Sequence, residues 1–362
     1  MLKLSISLAA ATLFLAACGG GSDAPSTPTE QPAAVTPEVT APAPAPTPAP
    51  VVTKSLTDGL LTDENTLLAA MKCSGNFGPN AGRTVLMIPA ATMTVDSELS
   101  WTYIPSLDKL GMPWCAVDLP FKHTGDLQVA AEYVTYAMRK VNEVTKTPMA
   151  IISFSQGGAT GRWALKYFPD TRAMVEDYIS VAASHHPLLE INLLCTIDAL
   201  TCVTSFTQIS VGSKFMDSLN KGGETFAGID YTSVYTRTDD VAIPNFDEER
   251  GVSSLRTGDG TRVNIATQDV CITNIADHFQ AISYDPIPYA IALDALQHSG
   301  VASLARLKGQ GLGLCTKLAA PGVDLVTLPL NFLTKTMFTF ATSVAFMPKA
   351  SSEPAQRAYV TY

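Results

Sequence analysis

An apolar run in this chain stops at a serine. Met149-Ala150-Ile151-Ile152-Ser153-Phe154 reads as a buried strand, Ser155-Gln156-Gly157-Gly158 as a tight turn of small residues, and residues 159–168 as a helix. A strand that turns sharply into a helix holds a serine hydroxyl out at the sheet edge. The first backbone N–H groups of the helix then point at whatever the hydroxyl attacks. This is equipment for nucleophilic attack on an acyl carbon. The usual pattern is Gly-x-Ser-x-Gly, and Ser153 stands where the first glycine would be. A serine needs a base to take its proton, and the base needs an acid to orient it. The chain has five histidines: His123, His185, His186, His278 and His298. If the order along the chain is serine, acid, histidine, His123 is set aside. Asp239 and Asp240 follow a β-like run and precede a turn ending at Pro244, and either could be the acid. His278, in Ile275-Ala276-Asp277-His278-Phe279, lies in the loop expected to carry the base. His298 reads as a helix end, where a cation complements the dipole. His185-His186-Pro187 reads as polar loop.

These residues need a scaffold. Strands are expected at 83–88, 114–119, 149–154, 178–183, 231–235 and 263–267. Helices are expected at about 97–110 and at 126–145. In the second of these, Leu127, Ala130, Ala131, Val134, Ala137, Met138, Val141 and Val144 recur at helical spacing. Strands alternating with helices predict an α/β fold with a mostly parallel sheet covered on both faces. Ligands of such sheets sit at the carboxyl ends of the strands, and Ser155 lies at one.

With Ser155, Asp239 and His278 in place, residues from about 60 to the C-terminus resemble the Candida antarctica lipase B-like α/β-hydrolases and their bacterial relatives. The likeness is strongest from Phe154-Ser155-Gln156-Gly157-Gly158 through Trp163 and Phe168-Pro169. That family also lacks the first elbow glycine. Its acid stands in a Tyr-x-x-Thr-Asp-acid-apolar-x-x-Pro segment, matched by Tyr235 to Pro244, which selects Asp239 over Asp240. Its base follows an aspartate, as His278 follows Asp277. The resemblance implies disulfides Cys73–Cys115 and Cys271–Cys315, while the family's C-terminal disulfide has no counterpart. It places the oxyanion hole at the N–H groups of Ala91 and Gln156. The family reads Pro-Gly-Thr-Gly after its first strand; this chain reads Pro89-Ala90-Ala91-Thr92 and so lacks the threonine hydroxyl. Either Thr92, placed in the substrate pocket, compensates or the enzyme is slower than its relatives. Phe154 replaces a tryptophan beneath the nucleophile and is expected to reshape the alcohol side. The apolar stretch 323–347 is implied to wall the mouth of the site, with a plain core helix as the alternative. An exposed apolar rim there suits a water-insoluble ester.

The implied activity is that of a serine ester hydrolase of the lipase or esterase kind, with no metal or organic cofactor. The alternatives are a polyester- or amide-directed hydrolase with the same machinery, and a non-catalytic surface protein on this scaffold. Residues 1–17 read as a secretion signal ending Leu15-Ala16-Ala17-Cys18, which resembles a bacterial lipobox and implies lipid on Cys18. Gly19 after it implies the outer membrane. Residues 18–54 are Pro-, Ala- and Thr-rich and read as a tether reaching at most roughly 100 Å. Residues 55–362 form the catalytic domain, expected to act as a monomer. Removing Cys18 from the seven cysteines leaves an even six, and spacing alone points first to Cys195–Cys202, with longer loops left open. A net charge of −9 argues against a nucleic-acid partner.

Overall fold

A computed structural model describes residues 55–79, 81–191 and 202–360. The expected signal and tether, Cys18 and Cys195 lie outside the described residues. The sheet has seven strands: β1 (Met71–Cys73), β2 (Val85–Ile88), β3 (Trp114–Val117), β4 (Met149–Phe154), β5 (Val175–Val181), β6 (Asp230–Tyr235) and β7 (Thr261–Ala266). Their spatial order is β1-β3-β2-β4-β5-β6-β7, parallel throughout except for β1 against β3. This is the expected α/β-hydrolase architecture. The apolar runs explain it: a strand buried on both faces needs apolar residues at every position. In β2, Val85 and Met87 enter one core with Ile152 and Phe154, while Leu86 and Ile88 enter the other with Ile151 and Val134.

Helices cover both faces. They include α1 (Tyr103–Lys109), α2 (Leu127–Thr145), α3 (Gln156–Tyr167), α4 (His278–Ser283), α5 (Pro286–Gln297) and α6 (Phe338–Phe346). Asp126 caps α2 by accepting from Gln128 N–H, and Lys146 ends it in the left-handed conformation at φ 59°. α2 and α3 pack on one face; α1 and α5 pack on the other.

The single helix expected over residues 97–110 is instead a π-helical turn, Val95–Leu99, followed by α1 from Tyr103. Pro105 has no N–H to give to a preceding turn, so it fits only in the first turn of a helix. Thr102 Oγ1 also donates to Glu98 O at 2.5 Å, satisfying a carbonyl that a continuous helix would have used.

β1 was not anticipated. It is three residues long and only partly buried, so it lacks a strong period-2 pattern. Its register sets Cys73 opposite Cys115, and the two are bridged. Cys271 and Cys315 are bridged as well. Closing loops of 42 and 44 residues stabilises the fold by about 4 kcal/mol each on a chain-entropy reckoning. Cys202 is disulfide-bonded.

Candidate active site

Ser155 joins β4 to α3 at φ 48°, ψ −122°, a conformation side chains rarely adopt. The surroundings hold it there. Ser155 N–H donates to Val181 O at 2.9 Å, and Ser155 O accepts from Gly158 N–H at 3.0 Å and Ser184 N–H at 3.1 Å. The glycines that follow permit close packing. A Cβ on Gly157 would lie 2.7 Å from Ile88 O, and one on Gly158 would lie 2.5 Å from Ala183 Cβ. Ser153 is tolerated in place of a glycine because its hydroxyl donates to Ile179 O at 3.2 Å.

The loops after β6 and β7 bring two more side chains to this serine. His278 opens α4, whose cap is reciprocal: Asp277 Oδ1 accepts from Gln280 N–H, and Gln280 Oε1 accepts from Asp277 N–H. His278 Nε2 lies 2.9 Å from Ser155 Oγ. His278 Nδ1 lies 3.0 Å from both Asp239 oxygens. A carboxylate can only accept, so Nδ1 carries the proton and Nε2 is free to accept from the serine. All three residues are buried. Asp239 Oδ1 also accepts from the N–H groups of Val241 at 2.9 Å and Ala242 at 2.6 Å, which fix the direction of the carboxylate. Asp240 has a different contact: its Oδ1 accepts the backbone N–H of His278 at 3.2 Å. Burial lowers the imidazole pKa. The charge and hydrogen bond of Asp239, with the charges of Asp240 and Asp277, outweigh it and hold His278 above its ordinary 6.5.

Sequence reasoning missed what ties these two loops together. Thr236 Oγ1 and Thr238 Oγ1 both donate to Ala276 O, at 2.9 and 2.7 Å. The threonines flanking Arg237 were the available signal.

Ser155 and His278 open on a cleft of about 200 Å³, also lined by Ala91, Gln156 and Asp240. Its walls are mainly apolar, with Leu188, Phe206, Ile209, Ile282, Phe340 and Val344. Phe340 and Val344 lie one helical turn apart on α6, so the stretch 323–347 does wall the site. No helix among the described residues is long and apolar enough to cross a membrane. Among the described residues the backbone N–H groups of Ala91 and Gln156 have no protein acceptor.

Thr92 and Phe154 do not line this cleft. Phe154 is fully buried, edge-on to Tyr103 at 4.7 Å, because strand alternation turns it into the core beneath α1. Thr92 is fully buried at φ 68°, and its hydroxyl has no hydrogen-bond partner among the described residues.

The other histidines lie elsewhere. His298 follows α5, with Nδ1 2.9 Å from Asp294 O, as a helix end should be. His185 and His186 are not solvated loop. His185 is fully buried with Nε2 2.8 Å from Ser180 Oγ, and burial drives its pKa well down. His186 Nε2 sits 3.3 Å from Glu224 and 2.7 Å from Arg256 Nη1; burial lowers it to about 4. Ser180 lies on the strand before His185, and the partners of His186 are distant in sequence, so a His-His-Pro run gave no hint of the packing. No group of acids, histidines and cysteines suited to a metal ion occurs among the described residues.

No protein-family model matches the chain. It is 24% identical over 295 residues to lipase B of Pseudozyma antarctica, across 80% of this chain and 83% of that protein. The crystal structure of Aspergillus fumigatus lipase B superposes with a TM-score of 0.75 at 26% identity, covering 83% of this chain and 72% of that one. The chain has the α/β-hydrolase fold and is similar to these B-type lipases.

Proposed function

We propose that this carboxylic ester hydrolase works by a serine acyl-enzyme mechanism. The observation that carries the reading is the unbroken line of contacts from Ser155 Oγ through His278 to Asp239, at 2.9 and 3.0 Å. Ser155 Oγ attacks the ester carbonyl carbon while His278 Nε2 takes its proton. The carbonyl oxygen becomes an oxyanion facing the N–H groups of Ala91 and Gln156. Asp239 holds the imidazole with Nδ1 protonated and stabilises the imidazolium that forms. The tetrahedral adduct collapses, the C–O bond to the alcohol breaks, and His278 returns the proton to the leaving oxygen. Water then attacks the acyl-Ser155, losing a proton to His278; as the second adduct collapses, the acyl–Oγ bond breaks, His278 returns that proton to Ser155 Oγ, and the acid is released.

The apolar cleft favours a hydrophobic acyl or alcohol group. Beyond it, Leu330, Leu333 and Phe338 are more than 60% exposed, at 62, 63 and 66%. An apolar rim of this kind suits a water-insoluble ester. A fluorophosphonate probe tests the chemistry: covalent labelling of the folded protein at Ser155 is expected, and its absence sinks the reading. Rates on a chain-length series of esters, a polyester film and an anilide then divide lipase-like from polyester- and amide-directed activity. Attachment to the outer membrane through lipid on Cys18 belongs to the same proposal. Loss of radiolabelled palmitate from a Cys18→Ala chain expressed in bacteria checks it.

A further inference from the structure

We infer that Glu98 and His123 are positioning residues for the oxyanion hole, gripping opposite ends of the Pro89–Ala90 peptide so that the next N–H, that of Ala91, faces the cleft. This rests on the serine-hydrolase reading above. Glu98 Oε2 accepts the Ala90 N–H at 2.8 Å. His123 Nδ1 lies 3.0 Å from Pro89 O, and a carbonyl can only accept, so this nitrogen carries a proton. The two side chains thus hold the N–H and the C=O of a single peptide unit. The following unit is held at its oxygen, because Ala90 O accepts from Met93 N–H at 3.3 Å. In a trans peptide the N–H points away from the C=O. With Ala90 O engaged in the turn, Ala91 N–H is left facing the cleft.

His123 reaches the second donor as well. Its backbone oxygen accepts from Gln156 Nε2 at 2.6 Å, and its Nε2 lies 2.8 Å from Thr160 Oγ1 on α3. One residue therefore ties the loop bearing Ala91 to the residue bearing the other N–H. His123 is itself held at φ 62°.

Fold stability alone does not account for a carboxyl at position 98. Glu98 is 1% exposed, and its Oε1 is buried with no partner among the described residues. An apolar side chain there would avoid that desolvation cost. Burial pushes the Glu98 pKa up to about 8, so near neutral pH the group is an uncharged acceptor and does not repel a developing oxyanion. Burial lowers His123 to about 4, so it too is neutral. Position 91 is an alanine and offers no side-chain donor. A hole with only two N–H groups depends on their aim, and losing one such donor costs about 10²- to 10³-fold in kcat.

The test compares Glu98→Met and His123→Met with Glu98→Gln and His123→Gln, whose amides can still accept or donate at these places. Turnover of a soluble short-chain ester is normalised to sites titrated with fluorophosphonate. The affinity of an alkyl boronic acid, which forms a tetrahedral adduct on serine, is measured in parallel. Expected are kcat losses of about 10- to 100-fold in the Met variants with KM within about threefold. Boronate affinity should fall in step, and the Gln variants should recover most of the loss. Turnover within threefold of wild type in both Met variants overturns the proposal. So does a rise in KM at constant kcat, or Gln variants no better than Met. If a Met variant does not fold, Glu98→Asp, whose carboxyl is one methylene too short, takes its place. Full kcat and boronate affinity in that variant also overturn the proposal. A wild type that takes no label and cleaves no ester sinks the serine-hydrolase reading itself; an active wild type with unaffected variants sinks only this inference.

Discussion

Ser155, His278 and Asp239 stand on three loops, each following a parallel strand and each stiffened mainly by residues next to it in the chain. The elbow glycines follow Ser155 directly, Asp277 caps the helix that His278 begins, and Val241 and Ala242 hold Asp239. The loop of Pro89 to Thr92 on the opposite side of the same cleft is held differently. Its fixings are Glu98, His123 and, through Ser343 Oγ at 3.2 Å from Thr92 O, the far C-terminal helix. The proposed proton-transfer side rests on short local motifs cross-tied by Thr236 and Thr238 to Ala276, and the proposed oxyanion side rests on one local turn and on side chains from outside it. That difference sets what substitution should do to each.

The largest effects belong to the first side. Ser155→Ala should lower kcat by about 10⁶-fold. Asp239→Asn should cost about 10⁴-fold, because an amide cannot hold the imidazole in the useful tautomer. Asp240→Asn should keep most activity, since the hydrogen bond Asp240 makes among the described residues is to the His278 backbone N–H and not to its ring. Steady-state kinetics on one soluble ester checks all three. Asp240→Asn inactive beside an active Asp239→Asn would reverse the assignment of the acid.

This asymmetry also governs how much could be read from the sequence. The apolar strand runs and the turn at Ser155 are local patterns, and with the expected order of serine, acid and histidine they pointed to six of the seven strands and to three residues that the fold brings together. The choice of Asp239 over its neighbour needed the family pattern, because adjacent carboxylates look alike until a backbone sets their directions. The grip of Glu98 and His123 was illegible for another reason. An acid beside an apolar turn looks solvated, and a histidine before the serine lies outside the triad order. Only the fold brings both onto one peptide. The burial of His185 and His186 escaped in the same way, with Ser180, Glu224 and Arg256 converging from three segments.

Where the two sides touch, one substitution should disturb both. Gly157 sits against the oxyanion loop, and an added Cβ would lie 2.7 Å from Ile88 O and 2.9 Å from Pro89 O. Those are backbone atoms that cannot rotate away. Gly157→Ala should destabilise the fold by about 1–3 kcal/mol through overpacking and lower kcat more than it raises KM. Urea unfolding and kinetics on the same preparation separate the two effects. Wild-type stability and kcat would show that the elbow and loop are not in tight register.

A comparable effect on stability should come from Glu98. Its pKa in the fold, about 8, lies above its ordinary 4.5 because burial penalises the charged form. For a raised pKa the contribution to stability is complete below about 4.5 and is lost as pH rises through about 8, since the unfolded chain gives up its proton first. The loss is on the order of a few kcal/mol. Unfolding midpoints should fall between pH 5 and pH 8 in the wild type, and Glu98→Gln should flatten that fall. An unchanged slope would mean that Glu98 is charged in the native protein.

The smallest predicted change is the most specific to the proton-transfer side. The base must be neutral to accept from Ser155, so kcat/KM should rise with pH through the pKa of His278, at a midpoint above 6.5. Burial pulls that midpoint down, and the negative charges around the ring pull it up. Asp240 contributes one of those charges without serving as the acid. Asp240→Asn removes a stabiliser of the imidazolium, so the rising limb should move to lower pH by a fraction of a unit while its plateau barely changes. A shift upward, or a collapsed plateau, would show that Asp240 acts through its hydrogen bond to the His278 backbone rather than through its charge. The same measurement on Glu98→Gln should leave the rising limb in place, because that carboxyl acts through the oxyanion loop and its charge is not among those raising the His278 pKa.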